Sequence, residues 1–89
     1  MNTIWKHSAV GAELVEINEQ EPKNEKVLGM IEIAHGYCHT WIINNYGTTI
    51  PLNCRFEEYL EQCKKDVEKA LTEKGILTPQ PTPADENAN

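Results

Sequence analysis

Basic residues are scarce in this chain, and that scarcity narrows what it can bind. Eight of the 89 residues are Lys or Arg and fourteen are Asp or Glu, so the formal net charge is −6. A protein that binds nucleic acid by neutralising phosphates needs clustered Lys and Arg. We therefore expect no direct nucleic-acid binding. Acidic mimicry of nucleic acid is permitted, but the acids are spread along the chain and a solvated surface explains them better.

The sequence also lacks a long apolar run and a secretory leader. No stretch approaches the roughly twenty apolar residues that span a bilayer. Charges interrupt residues 1–17, where a signal peptide needs a continuous apolar core. There are three cysteines, an odd number at unrelated spacings, which does not suggest a disulfide framework. These absences predict a cytoplasmic protein with reduced thiols and no membrane partner.

Familiar catalytic and cofactor-binding motifs are missing as well. The five glycines are isolated, and there is no Gly-rich phosphate loop, Ser elbow or Asp-rich calcium loop. We therefore expect no cofactor, no metal and a non-enzymatic function. A chain of 89 residues makes one small domain at most. Because its core is small, oligomerisation or partner binding is a reasonable expectation.

An amphipathic helix is the clearest pattern that the sequence does contain, predicted over residues 54–74. Apolar residues recur there at steps of three and four, the period of one helix face. Asn53 is a favourable N-cap, and Gly75 followed by Ile76 is typical of a Schellman ending. We expect the apolar stripe to cover the protein's own sheet; a docking surface for a partner helix is the alternative. The stripe comprises Phe56, Tyr59, Leu60, Cys63, Val67, Ala70 and Leu71.

A β-hairpin over residues 27–44 is the second clear pattern. Two β-rich runs, 27–34 and 37–44, are separated only by His35 and Gly36, a connection typical of a tight turn. This register predicts four cross-strand pairs: Ala34–Tyr37, Glu32–His39, Met30–Trp41 and Leu28–Ile43.

Both faces of this hairpin are largely apolar. One face should take the helix. The other must be covered by residues 1–17, by a second copy of the chain or by another protein, because monomers rarely leave such a surface bare. Short strands over 3–9 and 12–17, a polar loop over 18–25 and an edge strand over 48–52 that contains Pro51 complete the sheet.

The predicted fold is therefore α+β. A small antiparallel sheet of about four to five strands is covered by one C-terminal helix. We expect a single domain over residues 1–77 and a disordered, Pro-rich acidic tail over residues 78–89.

A partner-binding patch is predicted on the exposed face of the hairpin, with Trp and Tyr as favoured interface anchors. The leading hypothesis is a non-enzymatic module that inhibits or modulates another protein, in a homodimer or a hetero-complex. A short acidic chain with a sheet, one helix and a loose tail is similar in type to many accessory proteins of bacteriophages and mobile elements, some of which block host enzymes. The patch comprises Tyr37, His39, Trp41 and Tyr46.

Two alternatives stay open. One is a small zinc-stabilised domain that binds nucleic acid or protein, although its ligand spacing fits no standard zinc pattern. In the predicted hairpin, Cys38 and His39 also point to opposite faces. The other is a small enzyme at a subunit interface, built from Glu32, His39 and a cysteine. The zinc ligands would be His35, Cys38 and His39, with Cys54 or Cys63 as the fourth.

Overall fold

A computed structural model describes residues 2–18, 20–21 and 23–77, in which five strands are followed by one helix. The predicted α+β fold is confirmed. The tail predicted over residues 78–89 lies outside the described residues. A 3-10 turn over Glu57–Tyr59 leads into helix α1 (Leu60–Glu73). The strands are β1 (Asn2–Ser8), β2 (Gly11–Ile17), β3 (Glu25–Ala34), β4 (Tyr37–Ile43) and β5 (Thr49–Phe56).

The five strands form one antiparallel sheet in chain order, β1-β2-β3-β4-β5. The predicted hairpin is β3–β4, and its turn places His35 at φ 54° and Gly36 at φ 83°. Tight two-residue hairpin turns require such left-handed conformations. Three of the four predicted pairs are confirmed: Ala34–Tyr37, Glu32–His39 and Met30–Trp41.

The fourth predicted pair, Leu28 with Ile43, is wrong because the paired register of β3 and β4 ends one residue earlier. On its other side β3 bulges, since the register with β2 skips Leu28 between Val27 and Gly29. A bulge redirects one side chain relative to the strand alternation. Leu28 is therefore buried in the core rather than paired on the opposite face.

The positions of β1 and β2 bear on what covers the second apolar face of the hairpin, which the sequence left open. These strands extend the sheet in its plane, next to β3, and do not form a second layer over the hairpin. The described strands of residues 1–17, Asn2–Ser8 and Gly11–Ile17, are thus not the cover of the second apolar face. Pro51 lies in the edge strand β5, as its missing N–H donor predicts.

Helix α1 packs across one face of the sheet. Cys63, Val67 and Leu71 are fully buried there. Gly29 makes this close approach possible, because a Cβ at that position would lie 2.6 Å from Val67 Cγ1. The core consists of Leu14, Leu28, Ile31, Cys38, Ile42, Cys63, Val67, Leu71 and Leu77.

Polar contacts join the helix to both outer strands. Trp5 Nε1 in β1 donates a hydrogen bond of 2.9 Å to Glu68 Oε2. Arg55 in β5 pairs with Asp66, with 2.7 Å between Nε and Oδ2. Such contacts tie both edge strands to α1, so the orientation of the helix across the sheet is held from both sides.

The predicted start of the helix is wrong by three residues. Asn53 is not an N-cap but lies in β5, and the helical segment begins at Glu57 with no side-chain cap. The reason is tertiary: β5 stays paired with β4 as far as Phe56, which lies opposite Tyr37. Phe56 and Tyr59 are consequently exposed and do not belong to the buried stripe.

The predicted Schellman ending is confirmed. Gly75 has φ 74°, and its N–H donates to the carbonyl oxygen of Thr72 at 3.0 Å. The N–H of Ile76 donates to the carbonyl oxygen of Leu71 at 2.9 Å. This is the hydrogen-bond pattern that closes a helix at a left-handed glycine.

Candidate functional site

The sheet face opposite α1, called the open face below, carries the candidate site. The described elements comprise one sheet and one helix, so no second layer of these residues covers it. Directly paired residues lie on the same side of an antiparallel sheet. The registers therefore build three rows across β3, β4 and β5: Ala34–Tyr37–Phe56, Glu32–His39–Cys54 and Met30–Trp41–Pro51.

Strand β4 supplies the centre of each row by simple alternation. Cys38, Thr40 and Ile42 are buried beneath α1. Their neighbours Tyr37, His39 and Trp41, three of the four predicted patch residues, point the other way and are exposed or half-buried. The structure thus brings these three together on the open face.

Tyr46, the fourth predicted patch residue, lies elsewhere. It is 91% exposed in the turn between β4 and β5, where its N–H donates to Asn44 Oδ1 at 2.9 Å. Strand β4 spans about 20 Å at 3.3 Å per residue, and this turn follows the end of β4 away from Tyr37. Tyr46 is therefore not part of the central patch.

Two ring contacts organise the patch. The rings of Tyr37 and Phe56 are stacked with centroids 5.3 Å apart, and the side chains are 42% and 56% exposed. The rings of His39 and Trp41 are stacked at 6.4 Å. A shallow hollow of about 310 Å³ beside the first pair is lined by Tyr37, Cys54, Arg55, Phe56 and Tyr59.

Cys54 and His39 form the one close pair of chemically reactive groups on this face among the described residues. Cys54 Sγ lies 3.7 Å from His39 Nδ1, and the thiol is exposed. On the other edge of β4, Glu32 in β3 is the cross-strand neighbour of His39. The ring nitrogen can accept the thiol proton, and sulfur and nitrogen can both bind a soft metal ion.

The sequence placed Phe56 in the helix stripe, and it offered Cys54 beside His39 only as one of two choices for a fourth zinc ligand. Both residues were placed at the start of the helix, which hid their positions in β5. The strand pattern that begins at Thr49 was the signal in the sequence that could have placed these residues in β5. The β4–β5 register shifts between His39 and Trp41, and this shift interrupts the pattern.

The zinc ligand set predicted from the sequence is not brought together. Cys38 and Cys63 are buried on the helix side, while His39 and Cys54 lie on the open face. The expectation that Cys38 and His39 point to opposite faces is confirmed. Among residues 2–18, 20–21 and 23–77, no group of three or more His, Cys, Asp or Glu side chains is placed to hold a metal ion.

Cys38 is an unreactive core thiol. Its side chain is fully buried, and Sγ lies 3.8 Å from the carbonyl oxygen of Glu57. Burial, with a smaller contribution from the neighbouring Cys63, raises the pKa of Cys38 to about 11. The reactive thiolate form is therefore disfavoured at neutral pH.

Comparison with known protein families, curated proteins and solved structures gave no match. Within the part of the chain that the structure describes, no helix is both long enough and apolar enough to cross a membrane.

Proposed function

We propose that this chain is a non-enzymatic, cytoplasmic protein-binding module. It inhibits or modulates its partner by occupying that partner's surface with the open face of the sheet. The observation that carries the proposal is the aromatic patch of exposed Tyr37 and Phe56 with half-buried Trp41, on a sheet face that no second layer of the described residues covers.

The chemistry of the patch suits a protein contact. Aromatic residues and Met are enriched at the centres of interfaces, and Met30 lies in the row of Trp41. Phe56 is 56% exposed, which leaves roughly 110 Å² of a side chain of about 200 Å² to be covered. Covering it would contribute about 2–3 kcal/mol at most. Two or three such side chains would form the centre of an interface, and the surrounding sheet face would have to supply the rest of its area.

The free thiols support the cytoplasmic assignment. Cys38, Cys54 and Cys63 are all unpaired in the structure, and Cys54 is exposed. Exposed free thiols are typical of reducing compartments.

A quantitative capture experiment tests the proposal. The bait is the full chain in three forms: wild type, Tyr37→Ala/Phe56→Ala, and a control, Lys69→Ala/Glu73→Ala, on the exposed side of α1. Lysate proteins and a second, differently tagged copy of the chain are both offered as prey. We expect wild type and control to retain the same protein and the open-face variant to lose it at least tenfold, with unchanged circular dichroism. Equal capture by all three forms would refute the proposal.

A second candidate function is thiol catalysis, favoured by the 3.7 Å contact of Cys54 Sγ and His39 Nδ1. A thiol next to a general base is the usual arrangement of a cysteine nucleophile. If His39 activates Cys54, iodoacetamide should alkylate wild type at pH 7 at least tenfold faster than His39→Gln. Equal rates would exclude this candidate.

A further inference from the structure

The distance between Cys54 and His39 matches that of two ligands of one zinc ion. Zinc binds a Cys sulfur at about 2.3 Å and a His nitrogen at about 2.0–2.1 Å in tetrahedral geometry. Two such ligands lie about 3.6 Å apart by these distances. The observed separation of Sγ and Nδ1 is 3.7 Å. The pair is therefore spaced as two ligands of one tetrahedral ion would be.

The surroundings hold this pair in position. His39 and Cys54 are direct cross-strand partners, and the His39 ring stacks against Trp41. Glu32 is the cross-strand neighbour of His39 in β3, so an acidic residue lies in the same row. A carboxylate near the ion favours a cation there.

One chain supplies only half of the ligands. Structural zinc takes four, and no third candidate joins the pair among the described residues. In a two-fold symmetric dimer each copy presents the same patch to the other. A second copy related by a two-fold axis that passes beside this pair would supply the same Cys and His to the ion and would cover the aromatic patch.

We propose that Cys54 and His39 form half of a zinc site, which a second copy of this chain completes as a Cys2His2 centre between two open faces. The proposal rests on the proposed function, because it uses the same contact surface and names a second copy as its occupant. Binding releases protons: one Zn²⁺ and two thiols give one neutral bis-thiolate centre, with two neutral imidazoles, and two H⁺.

The charge of the chain makes this dimer depend on the ion. Each copy carries a formal net charge of −6, so two copies repel each other. Without zinc the dimer loses both the bridging bonds and the cation between its faces. Zinc then also decides whether the open face is free for a different protein.

Light scattering with metal analysis tests the proposal on the full chain, kept reduced with a phosphine and freed of metal with EDTA. We expect a monomer of 10.1 kDa that becomes a dimer on addition of zinc, with one ion for every two chains. Cobalt(II) should give the visible spectrum of a tetrahedral site with thiolate ligands. Cys54→Ser and His39→Gln should lose both zinc and dimer, while the control His35→Asn should keep them.

Three results would overturn the proposal: a monomer in excess zinc, one bound ion per chain, or zinc-dependent dimers of Cys54→Ser. The variants alter exposed or half-buried side chains, and circular dichroism verifies that each is folded. If capture by wild type depends on Tyr37 and Phe56 while zinc has no effect, the zinc site fails and the proposed function stands. If no association depends on the open face, both fail.

Discussion

Thr40 gives the sharpest test of how the core is packed. It lies in the middle of β4 on the helix side, paired with Ile31, and is 3% exposed. Among the described residues its Oγ1 has no hydrogen-bond partner. A buried hydroxyl without a partner costs about 1–3 kcal/mol of desolvation. Valine has the same shape, with a methyl group in place of the hydroxyl, and favours strands.

Thr40→Val should therefore raise the free energy of unfolding by about 1–2 kcal/mol. In a domain of this size each kcal/mol corresponds to a rise of about 4–8 °C in Tm. The assay is urea unfolding followed by tryptophan fluorescence, in which the midpoint should rise while the m-value stays constant. Thr49→Val is the matched control, because Thr49 is exposed at the start of β5 and its change should stay within about 0.5 kcal/mol.

An unchanged or lower midpoint for Thr40→Val would refute this reasoning. It would mean that the hydroxyl has a partner, and hence that β4 or α1 packs differently from the structure. A gain of the same size in Thr49→Val would also refute it, because the effect would then come from strand propensity and not from the buried hydroxyl.

Three further predictions concern the core and its thiols. Gly29→Ala should destabilise the fold by about 1–3 kcal/mol, because its Cβ would lie 2.6 Å from Val67 Cγ1. Adding Val67→Ala to the same chain should restore part of the lost stability in thermal melts. If stability is not restored, the contact between these two residues is contradicted. The folded-state pKa of Cys38 is about 11, above its ordinary value of 9.0, so its contribution to stability is complete below pH 9 and is lost as the pH rises towards 11. At pH 10.5 the free energy of unfolding, measured with urea, should be lower by about 2 kcal/mol because of this thiol. Cys38→Ala should not show this decrease. Equal decreases in both proteins would contradict the raised pKa of Cys38. One thiol per chain, that of Cys54, should react at once with a chromogenic disulfide reagent. Cys38 and Cys63 should react only on unfolding. Rapid reaction of a thiol in Cys54→Ser would contradict the buried positions of Cys38 and Cys63.

Local patterns were enough to predict the hairpin and the end of the helix. The connection by His35 and Gly36 defines the β3–β4 register because its length and left-handed conformations permit only a tight turn. Gly75 likewise marks the end of α1, where backbone hydrogen bonds close the helix. Both features depend on residues that are neighbours in sequence.

The features that the sequence did not predict depend on distant contacts. Asn53 is a good N-cap by its own chemistry, yet β5 remains a strand to Phe56 because it pairs with β4. The bulge at Leu28 depends on pairing with β2. Cys54 meets His39 only through the shifted β4–β5 register, so the centre of the candidate site could not be read from residue spacing.

Footprinting of the Cys54 thiol tests most directly whether the open face is a protein contact surface. Its labelling by N-ethylmaleimide can be measured by mass spectrometry in concentrated native lysate and in the dilute, metal-free purified chain. Because Cys54 is exposed in the isolated protein and lies between the two aromatic rows, an occupied face should slow labelling in the lysate at least tenfold. Cys38 and Cys63, which are buried, should stay unlabelled in both samples. Equal labelling rates for Cys54 would show that the face is bare, which contradicts the account.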